Sequence, residues 1–409
     1  MKLKKGIPLI DQHDKNGFYG NGKFGGNFVA ETARKPIEDL SKLFEKLRKN
    51  KKFLKKRDYY FKHYLGGETP FFKLSALTKH LGGAQIWCKD VSAINGDAHK
   101  AYHATVNALI CKESGRKYIA GDTGAGMFGK NLALAAKKMG LSAKIFMGTK
   151  DISRQAPNVK FMRDAGAEVV PVDSGSKTLV DAVSECMRYY VSNCDNTHLA
   201  VGSAIGANVF MKVCAWSTSQ ISRELKKQLI REFGKIPKLK LINVIGGGSS
   251  ALGFWNEFID YDKKHVELIG VEAKYAAPLA TNAKVAILHG AAQYCLTKDG
   301  QIADTHSLSA GLDYPGSSPL HGLLKDTKRA RYTLASDKEA LEAFKLVSKL
   351  EKLRPSLEPA HAWSECIKLA PKLKKDEVII VNNCGKGYKD KKIYIEKIGY
   401  YPKWKMPLI

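Results

Sequence analysis

Residues 241–250, LINVIGGGSS, constrain the fold of this chain more than any other segment. The apolar, β-branched run predicts a buried strand, which stops at three glycines and two serines before the helical-looking ALGFWNEFID. Such a turn leaves backbone N–H groups free to bind an anion, and glycine lets the backbone approach it closely. The spacing matches neither GxGxxG nor the P-loop, so it favours one small phosphate over a nucleotide. An ordinary strand–helix turn is the alternative interpretation.

Strand-like and helix-like segments alternate along the rest of the chain. KYIAGD and SAKIFMG, for example, are each followed by a segment with helical spacing. QIWCK and VELIGVEA are further predicted strands, and DKEALEAFKLVSKLE and a segment around 217–233 are predicted helices. EVIIVNN is predicted to close the sheet, and residues 275–330 are expected to be loop-rich. This alternation predicts an α/β fold with mostly parallel sheets, in which ligands bind at the carboxyl ends of strands. Four Gly-rich or polar turns are predicted to lie at such ends and to share one site: residues 122–129, 246–250, 309–316 and 384–387.

Composition narrows the class of protein. The 409 residues are 44% hydrophobic, and no apolar run approaches the ~20 residues of a membrane span. The first residues, MKLKKGIPLIDQHDK, are basic but lack the apolar stretch of a secretory signal. The eight cysteines form no CxxC pair, which is typical of reduced thiols and leaves no zinc motif. A cytoplasmic location is therefore expected.

The net charge of +27 raises the question of an anionic partner. Lysines are spread along the chain, and the densest clusters, at 46–56 and 386–392, match no nucleic-acid-binding motif. We interpret the charge as a solvated lysine surface, with nucleic-acid binding as the weaker alternative.

Six motifs occur in an order typical of one known family. They are AHK at 98–100, TGAG at 123–126, GGGS at 246–249, HSLSAGLDYPG at 306–316, LEPAHA at 357–362 and CGKG at 384–387. On these motifs the chain resembles the beta chain of tryptophan synthase, a fold-type-II enzyme that uses pyridoxal 5′-phosphate. HSLSAGLDYPG is the most specific of them, and the resemblance covers about residues 20–395.

The resemblance implies two three-layer lobes with mostly parallel sheets. The N-terminal lobe would comprise residues 1–65 and 99–218, with a mobile communication-type subdomain at about 115–202. The C-terminal lobe would comprise residues 66–98 and 219–409. A homodimer is implied as well, whereas 409 residues leave no room for a fused alpha chain. Binding of a separate alpha chain is made doubtful by Val180, which stands where the family often has a lysine for that partner.

The resemblance also implies roles for individual residues. Lys100 matches the lysine that holds the cofactor as a Schiff base, which requires a depressed pKa. Asp122 stands where the family has the glutamate that protonates the departing serine hydroxyl and steers the indole nitrogen. The residues matched to cofactor binding are His99, Lys100, Gly246, Gly247, Gly248, Ser249, Ser250, Glu358 and Cys384. Those matched to substrate binding are Thr123, Gly124, Ala125, Gly126 and Asp313, the last paired with Arg154 in closing the mobile subdomain.

Several residues around the site depart from the family pattern. Asp122 is one methylene shorter than the usual glutamate, and Met127 and Phe128 replace a Gln and a His or another ring. Cys384 replaces a serine bonded to the pyridine nitrogen. A neutral partner there keeps the nitrogen unprotonated, which suits β-elimination and β-replacement. Asp97, just before AHK, would add a negative charge near the expected phosphate.

Three hypotheses follow. The first is a lyase that makes L-tryptophan from L-serine and indole, with Lys100 taking the Cα proton and Asp122 acting as acid. The second is a serine or threonine deaminase, or a β-replacement enzyme for another nucleophile. The third is a catalytically impaired scaffold with a basic surface. Ordinary roles are the alternatives: Lys100 as a surface lysine, Asp122 as a cap of the following helix, and Cys384 as a structural thiol.

Overall fold

The computed structural model describes residues 2–403. Its strands are β1 (Phe18–Tyr19), β2 (Phe24–Gly25), β3 (Phe71–Lys73), β4 (Gln85–Lys89), β5 (Tyr118–Thr123), β6 (Ser142–Gly148), β7 (Glu168–Val172), β8 (Thr197–Ala200), β9 (Leu239–Ile245), β10 (Val266–Ala273), β11 (Lys284–Leu288), β12 (Ala291–Cys295), β13 (Thr297–Lys298), β14 (Gln301–Ile302), β15 (Ala330–Ala335) and β16 (Val378–Asn382).

Helices occupy most of the remaining chain. They are α1 (Glu31–Leu47), α2 (Lys51–His63), α3 (Ser75–Leu81), α4 (Lys100–Glu113), α5 (Met127–Met139), α6 (Thr149–Arg154), α7 (Ala156–Asp164), α8 (Leu179–Asn193), α9 (Asn208–Thr218), α10 (Gln220–Phe233), α11 (Ser249–Trp255), α12 (Pro319–Asp326), α13 (Asp337–Glu351), α14 (Leu357–Leu369) and α15 (Lys391–Ile398).

Two parallel sheets organise the molecule. The larger has the order β15-β10-β9-β16-β4-β3, and every pairing in it is parallel except that of β3 with β4. The smaller has the order β7-β6-β5-β8 and is wholly parallel. The central strands β9 and β16 read LKLINVI and VIIVN, nearly continuous apolar runs, because both faces of a parallel sheet are covered. The predicted α/β class is confirmed.

The structure corrects three details of the sequence interpretation. The strand predicted to close the sheet, β16, lies inside it between β9 and β4. The helix predicted around 217–233 is α10, and a helix that was not predicted, α9, precedes it, with Ser219 between them. The segment 275–330, expected to be loop-rich, contains the antiparallel hairpin β11–β12, which joins β1 and β2 in a third sheet.

The larger sheet takes its strands from residues 71–89 and 239–382, and the smaller one from 118–200. The lobe and subdomain boundaries stay predictions, and residues 1 and 404–409 of the predicted lobes lie outside the described residues. No helix within residues 2–403 is both long and apolar enough to cross a bilayer.

Candidate active site

A pocket opens where the carboxyl ends of β5, β9 and β16 approach one another. Its empty volume, including the part open to solvent, is about 880 Å³. All four turns singled out in the sequence contribute to its wall, although 309–316 follows no strand of either parallel sheet. Thirteen of the 15 residues predicted for the site line this wall, among them Lys100, Asp122, Gly247, Glu358 and Cys384.

Lys100 is the first residue of α4 and lines the pocket, so it is not a surface lysine. Its ammonium donates a hydrogen bond to the carbonyl oxygen of Gly202 at 2.6 Å. Burial lowers the pKa of Lys100, and negative groups nearby, including Asp122, oppose that shift. A lysine amine with a lowered pKa is the form that attacks a carbonyl carbon.

Asp122 lies on β5, and its side chain is only 2% exposed. Its Oδ1 accepts a hydrogen bond from the backbone N–H of Gly202 at 3.0 Å. Burial raises the pKa of Asp122 to about 6, although the Gly202 N–H and Lys100 act in the opposite direction. The backbone of one residue thus holds both groups, since the Gly202 N–H binds Asp122 and the Gly202 carbonyl binds Lys100.

The interpretation of Asp122 as a helix cap is wrong. Helix α5 begins at Met127, and Gly126, with φ +79°, occupies its N-cap position without a side-chain cap bond. The Asp122 carboxylate instead bonds to Gly202. It is therefore available to the pocket rather than to the helix.

The GGGSS turn forms a cradle that only glycine fits. A Cβ added at Gly247 would lie 2.3 Å from the Ser203 hydroxyl, and one at Gly246 would lie 2.7 Å from the Gly311 carbonyl. Gly248 has φ +88°, and a Cβ there would meet the His321 ring at 2.1 Å. The backbone can adopt this path because these residues lack a side chain.

His99 joins the cradle to the loop after β16. Its Nε2 lies 2.9 Å from the Ser249 hydroxyl, and its Nδ1 donates to the Cys384 carbonyl at 3.3 Å. Burial, with the nearby Lys100, lowers the pKa of His99 to about 3, so the ring is neutral. Ser250 is tied to the sheet through its hydroxyl, which accepts from the amide groups of Asn243 and Asn382 at 3.0 and 3.1 Å.

Cys384 and Glu358 occupy the same side of the pocket. Burial raises the pKa of the Cys384 thiol to about 12, which keeps it a neutral, weak hydrogen-bonding group. Burial also acts to raise the pKa of Glu358, but Lys389 at 3.0 Å outweighs it and holds that pKa below its usual range. Lys389 is bound in turn by Asp390 at 2.8 Å. The sequence reasoning did not identify Lys389.

The predicted substrate loop lies partly in the wall. Thr123, Gly124 and Ala125 line the pocket, whereas Gly126 does not. The carbonyl of Ala125 accepts a hydrogen bond from the Asn158 side chain at 2.8 Å, which fixes the loop from outside.

Asp313 also lies outside the pocket wall. It sits 3.4 Å from Arg154, as the predicted pair requires, and accepts a hydrogen bond from Thr305 at 2.9 Å. Arg154 is bound by Asp151 as well. Gly126 and Asp313 do not line the pocket, so their predicted roles in substrate binding would have to act through neighbouring residues.

An apolar surface forms part of the pocket wall. It is formed by Met127, Phe128, Leu179, Ile205 and Leu312. Phe128 stacks on the buried ring of His103, with the centroids 4.7 Å apart and the planes 8° from parallel. Met127 and Phe128, which depart from the family pattern, thus leave this part of the wall without a charged group.

Gly202 and Tyr314 also belong to the site, although the sequence reasoning did not single out either as a functional residue. Gly202 acts through its backbone, which has no side-chain signature. Tyr314 lies inside the recognised SAGLDYPG motif, and its place there was the available signal.

The chain is similar in sequence to known proteins. The sequence profile of the family described as "Pyridoxal-phosphate dependent enzyme" matches residues 63–385. The tryptophan synthase beta chains of Bordetella parapertussis and Bordetella bronchiseptica are each 39% identical over 398 residues, covering 95% of this chain and 98% of those proteins.

Solved structures provide a second comparison. Holo diaminopropionate ammonia lyase from Escherichia coli has a TM-score of 0.66 at 20% identity over 83% of this chain and 90% of that one. The same enzyme in complex with D-serine has a TM-score of 0.65 at 19% identity over 91% and 93%. At such identity the likeness shows the fold alone. The family profile and the curated relatives show more: this chain belongs to the tryptophan synthase beta chain family of fold-type-II pyridoxal-phosphate-dependent enzymes.

Proposed function

We propose that this chain catalyses a β-replacement that joins L-serine and indole to give L-tryptophan and water. The observation that carries the proposal is that the backbone of Gly202 binds both Lys100, through its carbonyl, and Asp122, through its N–H. Of the two carboxylates in the pocket wall, Glu358 is bound by Lys389, whereas Asp122 accepts from a backbone N–H. An amine and a carboxylate held this way supply a base and an acid to one substrate.

The residues present fit pyridoxal phosphate. The glycine cradle at 246–248 accepts no Cβ, so its backbone is open to a phosphate, and His99 and the serine hydroxyls border it. Lys100 would hold the aldehyde carbon, and the neutral Cys384 thiol would face the ring nitrogen. When bound, the cofactor withdraws electrons from the bonds at the substrate Cα.

The chain's own residues would then move the protons. Lys100, once released, takes the Cα proton of serine, because its lowered pKa makes the free amine accessible. Asp122, with its pKa near 6, donates a proton to the serine oxygen that leaves as water. Backbone N–H groups of residues 123–125 bind the substrate carboxylate.

The apolar wall supports indole as the second substrate. Met127, Phe128, Leu179, Ile205 and Leu312 offer a planar, uncharged molecule a surface from which water is excluded. Asp122 lines the same pocket, and its ionised form can accept a hydrogen bond from the indole N–H. The names of the curated relatives at 39% identity support the same reaction.

Product analysis tests the proposal. Purified holoenzyme is incubated with serine, with and without indole, and tryptophan and pyruvate are measured. Tryptophan formed with suppression of pyruvate supports β-replacement. Pyruvate formed at equal rates in both conditions would reject tryptophan synthesis as the main activity. A Lys100→Ala variant should yield neither product beyond background.

A serine or threonine deaminase is the second candidate. Its support is the shorter Asp122, since a misplacement of about 1 Å can cost ~100-fold in rate, together with the fold shared with diaminopropionate ammonia lyase. Replacement of another nucleophile is tested in the same assay by exchanging indole for a thiol. The impaired scaffold is tested by absorbance, because a protein unable to take up cofactor would support it.

The assembly of the protein is also a proposal. We expect a homodimer in the cytoplasm, with serine and indole as its ligands, and we expect neither nucleic-acid nor membrane binding. Light scattering measures the oligomeric state, and addition of an alpha chain tests whether such a partner binds.

A further inference from the structure

Asp97 occupies an unusual position beside the site. It adopts a left-handed backbone conformation, φ +64°, in the turn that leads into His99 and Lys100. Asp97 does not line the pocket, so its charge does not face the expected phosphate. Two ammonium groups bind it instead: Lys386 at 2.8 Å and Lys130 at 2.5 Å. These ion pairs outweigh burial and lower the pKa of Asp97, so it is ionised.

Lys130 is the most buried member of this group. It lies in the first turn of α5 and is 3% exposed, which is rare for lysine. Besides Asp97, its ammonium donates to the Tyr388 hydroxyl at 2.8 Å and lies 4.7 Å from the centre of the Phe161 ring. A buried charge needs such partners, because desolvation is otherwise costly.

The contacts of Lys130 join three segments that reach the pocket. Helix α5 directly follows the loop 123–126, Asp97 precedes Lys100, and Tyr388 follows the turn that carries Cys384. The neighbouring Asn131 adds a second tie, because its side chain donates to the carbonyl of residue 96 at 3.0 Å. The start of α5 is therefore fixed at two points to the turn that precedes Lys100.

We propose that Lys130 is a positioning residue, which holds the loop 123–126 in its binding-competent position relative to Lys100. The proposal rests on the proposed function only in assigning that loop to the substrate carboxylate. If the loop occupies its binding-competent position for only a fraction of the time, the apparent affinity for substrate is reduced to that fraction of its full value. Loss of the Lys130 ammonium should thus weaken serine binding more than it slows the chemistry.

The variants are chosen so that the fold survives. Lys130→Met keeps the apolar stem and removes the charge, while Lys386 still neutralises Asp97. Lys130→Arg restores a cation. Lys144→Met is the matched control, since Lys144 also pairs with a carboxylate, Glu168, and lies over a tyrosine ring, but at the exposed end of the smaller sheet.

Two measurements decide the matter. Hydrogen exchange of peptides covering 123–131 is followed in the cofactor-free protein, and KM for serine and kcat are measured in the holoenzyme. We expect Lys130→Met to exchange faster in this segment and to raise KM about fivefold or more, with kcat within about twofold. Lys130→Arg should recover most of both effects, and Lys144→Met should show neither.

Unchanged exchange in Lys130→Met would overturn the proposal. So would faster exchange with an unchanged KM, because the loop would then be held without consequence for the substrate. If the wild-type holoenzyme does not turn over serine, the proposed function fails, and the exchange experiment still shows whether Lys130 holds the loop.

Discussion

Replacing Asp122 by Asn should stabilise the cofactor-free protein while removing its activity. The carboxylate is buried, and its pKa in the folded chain is about 6, against 3.8 for the unfolded chain. The folded state therefore binds this proton more tightly than the unfolded state does. Between pH of about 4 and about 6, stability is lost as the pH rises, and above that range the full cost remains.

The cost follows from the difference between these pKa values. About two pKa units at 1.36 kcal/mol each correspond to roughly 3 kcal/mol of stability lost at pH 7 and above. Asn retains the oxygen that accepts from the Gly202 N–H and carries no charge, so it avoids this cost. For a chain of this length, roughly 3 kcal/mol corresponds to a rise in Tm of about 3 °C.

Thermal unfolding of the cofactor-free protein from pH 5 to 8 measures the gain, which should grow with pH and level off above about 7. Steady-state turnover of serine should fall by ~100-fold or more, since general acid catalysis contributes about that much. Asp299→Asn is the control, because that residue is exposed and does not line the pocket. Near wild-type turnover in Asp122→Asn would remove the residue from the mechanism, and an unchanged Tm at pH 8 would refute the argument from burial.

Three further predictions address the remaining parts of the site. Borohydride reduction of the holoenzyme, followed by peptide mapping, should label Lys100 and no other lysine. Gly202→Ala should lower kcat by ~100-fold without weakening cofactor binding, because its Cβ would lie 2.7 Å from the Asp122 carboxylate. Gly248→Ala should lose cofactor on dialysis, as judged by absorbance, because its Cβ would strike an imidazole at 2.1 Å; Gly234→Ala, also at positive φ but with open space around it, should retain it.

The regular elements were the most predictable part of the fold. The bounds of β4, β6, β10 and α13 agree with the sequence interpretation to the residue, because apolar periodicity stops there at turn residues or charges. The hairpin β11–β12 was missed for a physical reason. Its turn places His289 at φ +50° and Gly290 at φ +90°, whereas the recognisable signal for such a turn is Asn-Gly or Asp-Gly.

The site was predictable where a recognisable sequence motif carries it. Lys100, the glycine cradle and Cys384 have recognisable motifs, and the structure brings them to one pocket. Gly202 contributes a carbonyl and an N–H, which every residue possesses, so no pattern marks it. Lys130 and Asp97 are far apart in sequence, and their ion pair depends on how α5 packs against the turn before Lys100.

The central place of β16 in the larger sheet has a consequence for how the protein folds during its synthesis on the ribosome. Its two neighbours are made before it: β4 ends at Lys89 and β9 at Ile245, whereas β16 begins at Val378. At about 5–20 residues per second, a ribosome needs between about 15 and 60 s to travel from β4 to β16. Until β16 is made, each neighbour that has been synthesised presents an edge without this partner strand, and such edges invite association with other chains. The nascent protein should therefore depend on chaperones until its last strand inserts, and the pocket can form only after that.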